Sequence, residues 1–118
     1  MYNKRFVGSQ FEQIAVQYLI ERGYVIIARN FQCRTGEIDI ITKENGYLVF
    51  VEVKYRTNTA KGLPQEAIDH RKMQKITRTA QYYMLTNHIS MDTPCRFDVV
   101  IILNQEISLI QDAFEAIL

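Results

Sequence analysis

Two segments with the apolar composition of buried strands carry charged side chains in their middles. Glu37 and Asp39 lie in the first segment, and Glu52 and Lys54 lie in the second. Carboxylate oxygens are the ligands that Mg²⁺ and Mn²⁺ prefer in proteins. A lysine beside such an ion can orient an attacking water or neutralise an anionic oxygen. These residue types point to metal-assisted hydrolysis if the fold brings them together.

An Asn-Gly pair at positions 45–46 separates the two segments and predicts a β-hairpin with a two-residue turn. In such a hairpin, residues at equal distances from the turn are cross-strand partners. Asp39 is therefore expected opposite Glu52, and Glu37 opposite Lys54. Directly opposed side chains have Cβ atoms about 4.5–5.5 Å apart, so the two acids should be close neighbours.

Strand alternation assigns the hairpin residues to two faces. One face is expected to be aliphatic throughout, with Ile38, Ile40, Val49, Val51 and Val53. The opposite face is expected to be apolar near the turn, with Ile41, Leu48 and Phe50. Its far end carries all four charged residues, which therefore lie at the edge of a buried surface.

Two opposed carboxylates at such an edge repel each other, so they need a compensating cation or a raised pKa. A bound Mg²⁺ or Mn²⁺ ion would supply the cation, with Asp39 and Glu52 as ligands. The main-chain carbonyl of Val53 is a further candidate ligand, and Lys54 would lie beside the ion.

The structural alternative is that Asp39 and Glu52 form separate ion pairs on a solvated face. Their partners would then be Arg34, Arg56 or Lys54. Structural ion pairs also perturb pKa values, so an isolated carboxylate pair would favour this alternative. The clustering of four charges at one end of a core-like hairpin favours the metal site.

Glu12 is a further candidate ligand. A helix over residues 8–22 places it beside Leu19, at the edge of the apolar stripe and near the sheet. The alternative is a solvent-side glutamate near the helix start, where the helix dipole favours negative charge. The spacing alone leaves both interpretations open.

The elements that position these residues follow from hydrophobic periodicity and turn residues. The sequence predicts a helix over 8–22, strands over 24–30, 37–42 and 47–56, a polar loop over 57–63, a second helix from 64 to about 85, strands over 96–103 and 107–110, and a terminal helix over 113–118. This order predicts an α/β fold with a mixed central β-sheet flanked by helices. The length of 118 residues predicts a single domain over 1–118.

The composition restricts the classes of function. The net charge of +1 is not that of a strongly basic domain, so nucleic-acid contacts must rest on local patches. No apolar run approaches the roughly 18 residues of a membrane span, and no secretory signal is visible, so no membrane association is expected. Two cysteines, Cys33 and Cys95, are too few for a disulfide framework and fit a cytoplasmic location.

Basic residues near the charged strands are candidates for contacts with phosphates. Three of them share the exposed face of the second predicted helix, and a fourth lies at its boundary. The others lie at strand ends or in the adjoining loop. The alternative for the helix is an ordinary solvated face. The candidates are Arg34, Arg56, Lys61, Arg71, Lys72, Lys75 and Arg78.

Further sequence features accompany the charged strands along nearly the whole chain. They are Gly8, Glu12, Ala15 and Tyr18-Leu19 in the first helix, ARNF at 28–31, Glu66, Ala67 and Lys72 around the second helix, RFDVV at 96–100 and DAF at 112–114. In this combination the chain resembles the YraN family of small uncharacterised bacterial proteins. The Asp…Glu-x-Lys strand motif is the signature of the restriction-endonuclease-like nuclease superfamily, in which YraN proteins are similar to archaeal Holliday junction resolvases.

The resemblance implies a restriction-endonuclease-like fold and assigns roles to individual residues. Asp39 and Glu52 match the metal-binding acids, and Lys54 matches the lysine of the motif. Glu12 matches the acidic residue that such nucleases often bring from the first helix. Phe11 departs from the family, which commonly has glycine there, and its bulk bears on how Glu12 approaches the metal.

We therefore expect a Mg²⁺- or Mn²⁺-dependent endonuclease that hydrolyses phosphodiester bonds in DNA, with branched or damaged DNA as candidate substrates. The alternative is a non-catalytic module on a nuclease scaffold that binds nucleic acid or another partner. An RNA nuclease would keep the same site, although DNA is the preferred expectation. A homodimer is expected by analogy with junction-cleaving nucleases, which cut two strands.

Overall fold

A five-stranded mixed β-sheet with one helix packed on each face carries the charged strands. The computed structural model describes residues 4–58 and 68–117. In chain order the elements are α1 (Lys4–Glu21), β1 (Val25–Cys33), β2 (Gly36–Glu44), β3 (Tyr47–Arg56), α2 (His70–Thr86), β4 (Cys95–Leu103) and β5 (Glu106–Ile110). The strands lie in the order β1-β2-β3-β4-β5; β3 and β4 are parallel, and the other neighbours are antiparallel. The predicted α/β fold with a mixed central sheet is confirmed, and it is compatible with a restriction-endonuclease-like fold.

An apolar core on each face of the sheet holds a helix. The α1-side core consists of Ala15, Val16, Leu19, Tyr24, Ile40, Val49, Val51, Val100 and Ile102. The α2-side core consists of Ile38, Ile41, Leu48, Phe50, Ile76, Ala80, Tyr83, Met84 and Phe97. Consecutive residues of β3 alternate between the two cores, as expected for a strand covered on both faces. The same alternation carries Glu52 to the α2 side of the sheet.

Turn residues at two positions fix where the first strands begin. Gly23, with φ 89°, follows α1, and the Tyr24 N–H donates to the Leu19 carbonyl at 3.0 Å. Asn45 and Gly46 have φ values of 50° and 84°, as the type I′ turn of a two-residue hairpin requires. The predicted helix stop and the predicted hairpin are both confirmed.

The second helix begins later than predicted. Asp69 is its N-cap, because its side chain accepts a hydrogen bond from the Lys72 N–H at 2.9 Å. Ile68 and Asp69 are not helical, so the predicted start at residue 64 is wrong. Pro64 itself and the candidate phosphate ligand Lys61 lie outside the described residues. The local reason is that an Asp side chain at this position competes for the N–H groups of the first turn.

The terminal helix predicted over residues 113–118 is also wrong, because residues 111–117 form turns and irregular backbone. Hydrogen bonds to distant groups hold the main chain of this segment. The Ala113 N–H donates to the Phe97 carbonyl at 2.7 Å, and the Ile117 N–H donates to Thr77 Oγ1 at 3.0 Å. Phe114 stacks on Phe97, with ring centroids 4.8 Å apart, so the segment packs as a strap over the α2 side. Neither described helix is long and apolar enough to cross a membrane.

Candidate functional site

The pairing between β2 and β3 ends beside Asp39. The ladder runs from the turn as far as Ile40 and Val51, in the predicted register. Beyond that point the Val53 N–H donates to Asp39 Oδ2 at 2.8 Å. A side-chain carboxylate therefore takes the place of a main-chain acceptor where the two strands stop pairing.

The two outermost cross-strand pairs of the predicted hairpin are not part of this ladder. On its other side Glu37 lies opposite Gln32 of β1, and it accepts a hydrogen bond from Gln32 Nε2 at 2.7 Å. Because the β2–β3 ladder stops at Ile40 and Val51, the expected cross-strand pair of Glu37 and Lys54 is wrong. Asp39 and Glu52 are not ladder partners either, because the Asp39 side chain occupies the hydrogen-bonding position between the strands.

The alternation of side chains along β2 breaks at Asp39. Ile38 belongs to the α2-side core and Ile40 to the α1-side core, so the prediction that they share a face is wrong. On the neighbouring strand, Asn30 has a left-handed φ of 53°. The β1–β2 register pairs the residues on either side of Asn30 and Asp39, but not these two. This irregularity in both strands turns the Asp39 carboxylate towards β3.

Burial and neighbouring carboxylates raise the pKa of Asp39 from its ordinary 3.8 to about 8. Loss of solvation is the largest cause, followed by the negative charge of Glu52. The hydrogen bond from Val53 opposes these effects, and Glu12 and Glu37 add weaker repulsion. A divalent cation between Asp39 and Glu52 would relieve both the desolvation and the repulsion. The donor set therefore fits a hard divalent ion.

Glu52 is 7% exposed and lies between two lysines. Its Oε1 atom is 3.3 Å from the Nζ of Lys54 and 3.5 Å from the Nζ of Lys72, which comes from the first turn of α2. Lys54 is one of the alternative ion-pair partners that the sequence allows for Asp39 and Glu52, and the structure shows that ion pair for Glu52. Among the described ion pairs, Arg34 and Arg56 are not partners of either acid.

Glu12 reaches the same region from α1. Its Oε1 atom is 3.8 Å from Arg29 Nε, and among the described residues this buried atom has no hydrogen-bond partner. Burial raises the pKa of Glu12; Arg29 lowers it, and Glu37 raises it further. Phe11 stacks on Tyr55 of β3 with ring centroids 4.1 Å apart, so its bulk fills a gap between α1 and β3. A buried carboxylate oxygen that accepts no hydrogen bond among the described residues fits a further metal ligand.

Within residues 4–58 and 68–117, no three His, Cys, Asp or Glu side chains are arranged as a metal-binding group. The candidate centre is therefore the pair Asp39 and Glu52, with the main chain of Val53 between them and Glu12 farther out. Mg²⁺ commonly keeps several waters and uses only one or two protein carboxylates, so such a pair is compatible with it.

A groove of about 450 Å³ lies between the end of the β1–β2 hairpin and α2. Three of the predicted phosphate ligands, Arg34, Lys72 and Lys75, line it, and Gln32 and Glu37 form part of its wall. We call it the basic groove. Because Lys72 contacts Glu52 and also lines the groove, the groove adjoins the candidate metal centre.

Among the described residues, the predicted phosphate ligands Arg56, Arg71 and Arg78 do not line the basic groove. Arg71 and Arg78 are exposed on α2, and the predicted basic face of that helix is solvent-accessible. The Arg56 guanidinium donates to the Tyr55 carbonyl at 2.8 Å, at the end of β3.

A second groove, of about 460 Å³, lies on the α1 side of the same hairpin end. It contains Glu12, Asn30 and Gly8, and it shares Gln32 and Glu37 with the basic groove. The hydrogen-bonded pair of Gln32 and Glu37 thus separates an acidic groove from a basic one.

Asp98 is buried in a network that satisfies it without a ligand. It accepts hydrogen bonds from the Tyr24 hydroxyl at 2.6 Å, from Arg96 at 2.9 Å and from the Asp112 N–H at 2.9 Å. Arg96 also donates to Glu44 at 2.8 Å. Asp98 therefore has a structural role in this core strand.

The sequence did not reveal the left-handed backbone of Asn30 or the contact of Lys72 with Glu52. An asparagine inside a β-rich run was the available signal for Asn30, because Asn tolerates the left-handed conformation better than most residues. The contact of Lys72 with Glu52 had no local signal, because it depends on how α2 docks on the sheet.

Comparison with known proteins identifies the family. The sequence model of the uncharacterised protein family UPF0102 matches residues 11–102. The chain belongs to this family. The resemblance to YraN proteins is thereby confirmed, since that family and UPF0102 are the same. The family description names no activity, so the function has to be argued from the site.

Relatives that align over most of their length support the same assignment. A UPF0102 protein of Lachnoclostridium phytofermentans is 59% identical over 114 residues, 97% of each chain. One of Persephonella marina is 46% identical over 108 residues, 92% of each chain. One of Caldanaerobacter subterraneus subsp. tengcongensis is 48% identical over 105 residues, 88% of this chain and 85% of the relative.

Proposed function

We propose that the protein is a metal-dependent endonuclease that hydrolyses phosphodiester bonds in DNA. The observation that carries the proposal is the position of Asp39. Its half-buried carboxylate accepts the Val53 N–H at 2.8 Å, and desolvation together with the charge of Glu52 raises its pKa. Lys54 lies 3.3 Å from Glu52, so two acids and one lysine meet where β2 and β3 stop pairing.

Each residue of the candidate centre has a chemical role in this proposal. Asp39 and Glu52 would hold Mg²⁺ or Mn²⁺, with the Val53 carbonyl and Glu12 as further ligands. When bound, such an ion stabilises negative charge on the phosphate and lowers the pKa of a coordinated water. Lys54 presents an ammonium group beside Glu52, where it can orient the attacking water or neutralise an anionic phosphate oxygen.

The basic groove is the proposed path of the DNA backbone. Lys72 and Lys75 line it from α2 and Arg34 lines it from the hairpin. Lysine and arginine contacts to phosphates supply most sequence-independent affinity for nucleic acids. Branched DNA is the substrate to test first, and a homodimer that cuts two equivalent strands is part of the proposal. Light scattering with and without a DNA junction measures that stoichiometry.

The test is cleavage of branched and single-stranded DNA with Mn²⁺. We expect wild-type cleavage to stop on chelation, and Glu52→Gln and Lys54→Met to lose about 100-fold or more in rate. Glu106→Gln removes an exposed acid at the start of β5 and should cleave like wild type. Equal residual activity in all four proteins would indicate a contaminating nuclease and contradict the proposal.

A non-catalytic nucleic-acid-binding module is the second candidate. The observation that favours it is that Glu52 is already neutralised by Lys54 and Lys72. A calorimetric Mn²⁺ titration separates the two candidates, because the module needs no ion. Absence of heat from Mn²⁺, together with retained DNA binding, would favour the module.

A cytoplasmic location accompanies the proposal. Cys33 and Cys95 are free thiols, and Cys95 is exposed. Free and accessible thiols persist best in a reducing compartment.

A further inference from the structure

The contact between Lys72 and Glu52 is long, and the Lys72 ammonium group remains partly exposed to other anions. Its Nζ atom lies 3.5 Å from Glu52 Oε1, whereas a tight charge-assisted hydrogen bond spans about 2.7–2.9 Å. The Lys72 side chain is 37% exposed and lines the basic groove. One ammonium group therefore touches both the candidate metal centre and the proposed DNA path.

Lys54 competes for the same carboxylate oxygen. Its Nζ atom lies 3.3 Å from Glu52 Oε1, so two ammonium groups share one acceptor and repel each other. Lys54 follows Glu52 by two residues on β3 and is only 20% exposed. Lys72 reaches across from α2 on a flexible four-carbon stem. Of the two lysines, Lys72 is therefore the one whose ammonium group can leave Glu52 and enter the basic groove.

We propose that Lys72 is an exchangeable partner of Glu52. In the metal-free protein it binds the carboxylate, and once Glu52 becomes a metal ligand it binds a DNA phosphate in the basic groove. This inference rests on the proposed function. Arg34 and Lys75 line the same groove, so they hold the phosphate backbone within reach of the released ammonium group. Metal and DNA should therefore strengthen each other's binding through Lys72.

The metal-free arm of the test is a double-mutant cycle on DNA affinity in EDTA, measured by anisotropy with a labelled four-way DNA junction. Glu52→Gln should tighten binding about fivefold, because it releases Lys72 into the groove. The double variant Glu52→Gln/Lys72→Met should lose this gain. An equal gain from Glu52→Gln with and without Lys72 would mean a general charge effect and would overturn the inference.

The second arm compares Lys72→Met with Lys75→Met, which removes a groove lysine that makes no ion pair with Glu52 among the described contacts. In EDTA, Lys72→Met should leave junction affinity nearly unchanged; with Ca²⁺ it should weaken it about fivefold. Lys75→Met should weaken it equally under both conditions. In calorimetry without DNA, Lys72→Met should bind Mn²⁺ about fivefold tighter than wild type, and Lys75→Met like wild type.

The outcomes separate this inference from the proposed function. If wild type binds neither Mn²⁺ nor the junction, both fail. If wild type binds both, and Lys72→Met changes affinities in the same pattern as Lys75→Met, the exchange fails while the endonuclease proposal stands. Thermal unfolding of each variant checks that the half-exposed Lys72 can be replaced without loss of the fold.

Discussion

At the scale of single residues, Asp39 has a structural role as a hydrogen-bond acceptor and a proposed chemical role as a metal ligand. It accepts the Val53 N–H at 2.8 Å, which would otherwise lack an acceptor where β2 and β3 separate. Desolvation of the half-buried carboxylate and the nearby charge of Glu52 both raise its pKa. Asp39 therefore keeps a hydrogen bond at the expense of electrostatic repulsion, and a bound cation would remove that repulsion.

Replacing Asp39 should separate the effect of this hydrogen bond from that of the repulsion. Asp39→Asn keeps an acceptor for Val53 and removes the charge, so metal-free stability at about pH 8 should rise by about 1 kcal/mol. Asp39→Ala leaves the Val53 N–H without its acceptor and should cost about 1–3 kcal/mol. Urea unfolding in EDTA measures both changes. If both variants lost stability equally, the repulsion argument would be wrong.

The raised pKa of Asp39 also predicts a pH dependence of stability in the metal-free protein. Between the ordinary value of 3.8 and the folded value of about 8, the folded state binds the proton more tightly than the unfolded chain. Stability should therefore fall as the pH rises through this window. Asp39→Asn should flatten that fall. Urea unfolding in EDTA at several pH values tests this, and identical curves for the two proteins would contradict it.

At the scale of elements, the hairpin was predictable and its distortion was not. Asn45 and Gly46 carry local turn chemistry that fixes the register near the turn. The break in side-chain alternation at Asp39 lies beside the left-handed Asn30 of the neighbouring strand. Such a distortion arises from pairing between two strands, so the pattern of one strand does not predict it. The start of α2 was also predicted wrongly, because the helix begins where Asp69 caps it.

The end of the β1–β2 hairpin approaches α2 closely, and this contact predicts a large effect at Gly36. Gly36 has φ 151°, and a Cβ atom there would lie 3.2 Å from Thr79 Oγ1. Gly36→Ala should therefore destabilise the protein by about 1–3 kcal/mol. Gly8→Ala is the matched control: a Cβ there meets no atom within 4 Å, and the position is helical.

We expect Gly8→Ala to be neutral or to stabilise the protein by up to about 1 kcal/mol. Thermal and urea unfolding compare the two variants. Equal stability of both would mean that the hairpin end moves freely against α2. The contact would then not position Arg34 in the basic groove.

At the scale of the whole molecule, the fold class and the family were accessible from the sequence, but the charge distribution was not. A net charge of +1 hides a basic groove on the α2 side and an acidic groove on the α1 side. From periodicity alone, Arg71, Lys75 and Arg78 were equivalent candidates for phosphate contacts on one helix face. Only the docking of α2 against the hairpin end distinguishes them.

This distribution predicts a local electrostatic footprint for DNA binding. Arg34→Met and Lys75→Met should each weaken binding and reduce the slope of log affinity against log salt by about 1. Lys43→Met removes an exposed lysine near the Asn45 turn, at the other end of β2, and should leave the slope unchanged. Anisotropy titrations over a salt series make the comparison. Equal slopes for all three variants would place the DNA elsewhere.

The binding of a divalent ion by Asp39 and Glu52 is tested most directly by an anomalous-difference map from a crystal soaked in Mn²⁺. We expect a peak about 2.0–2.3 Å from a carboxylate oxygen of each acid, with Lys72 withdrawn from Glu52. No peak between the two acids at saturating Mn²⁺, with Lys54 and Lys72 still on Glu52, would contradict it.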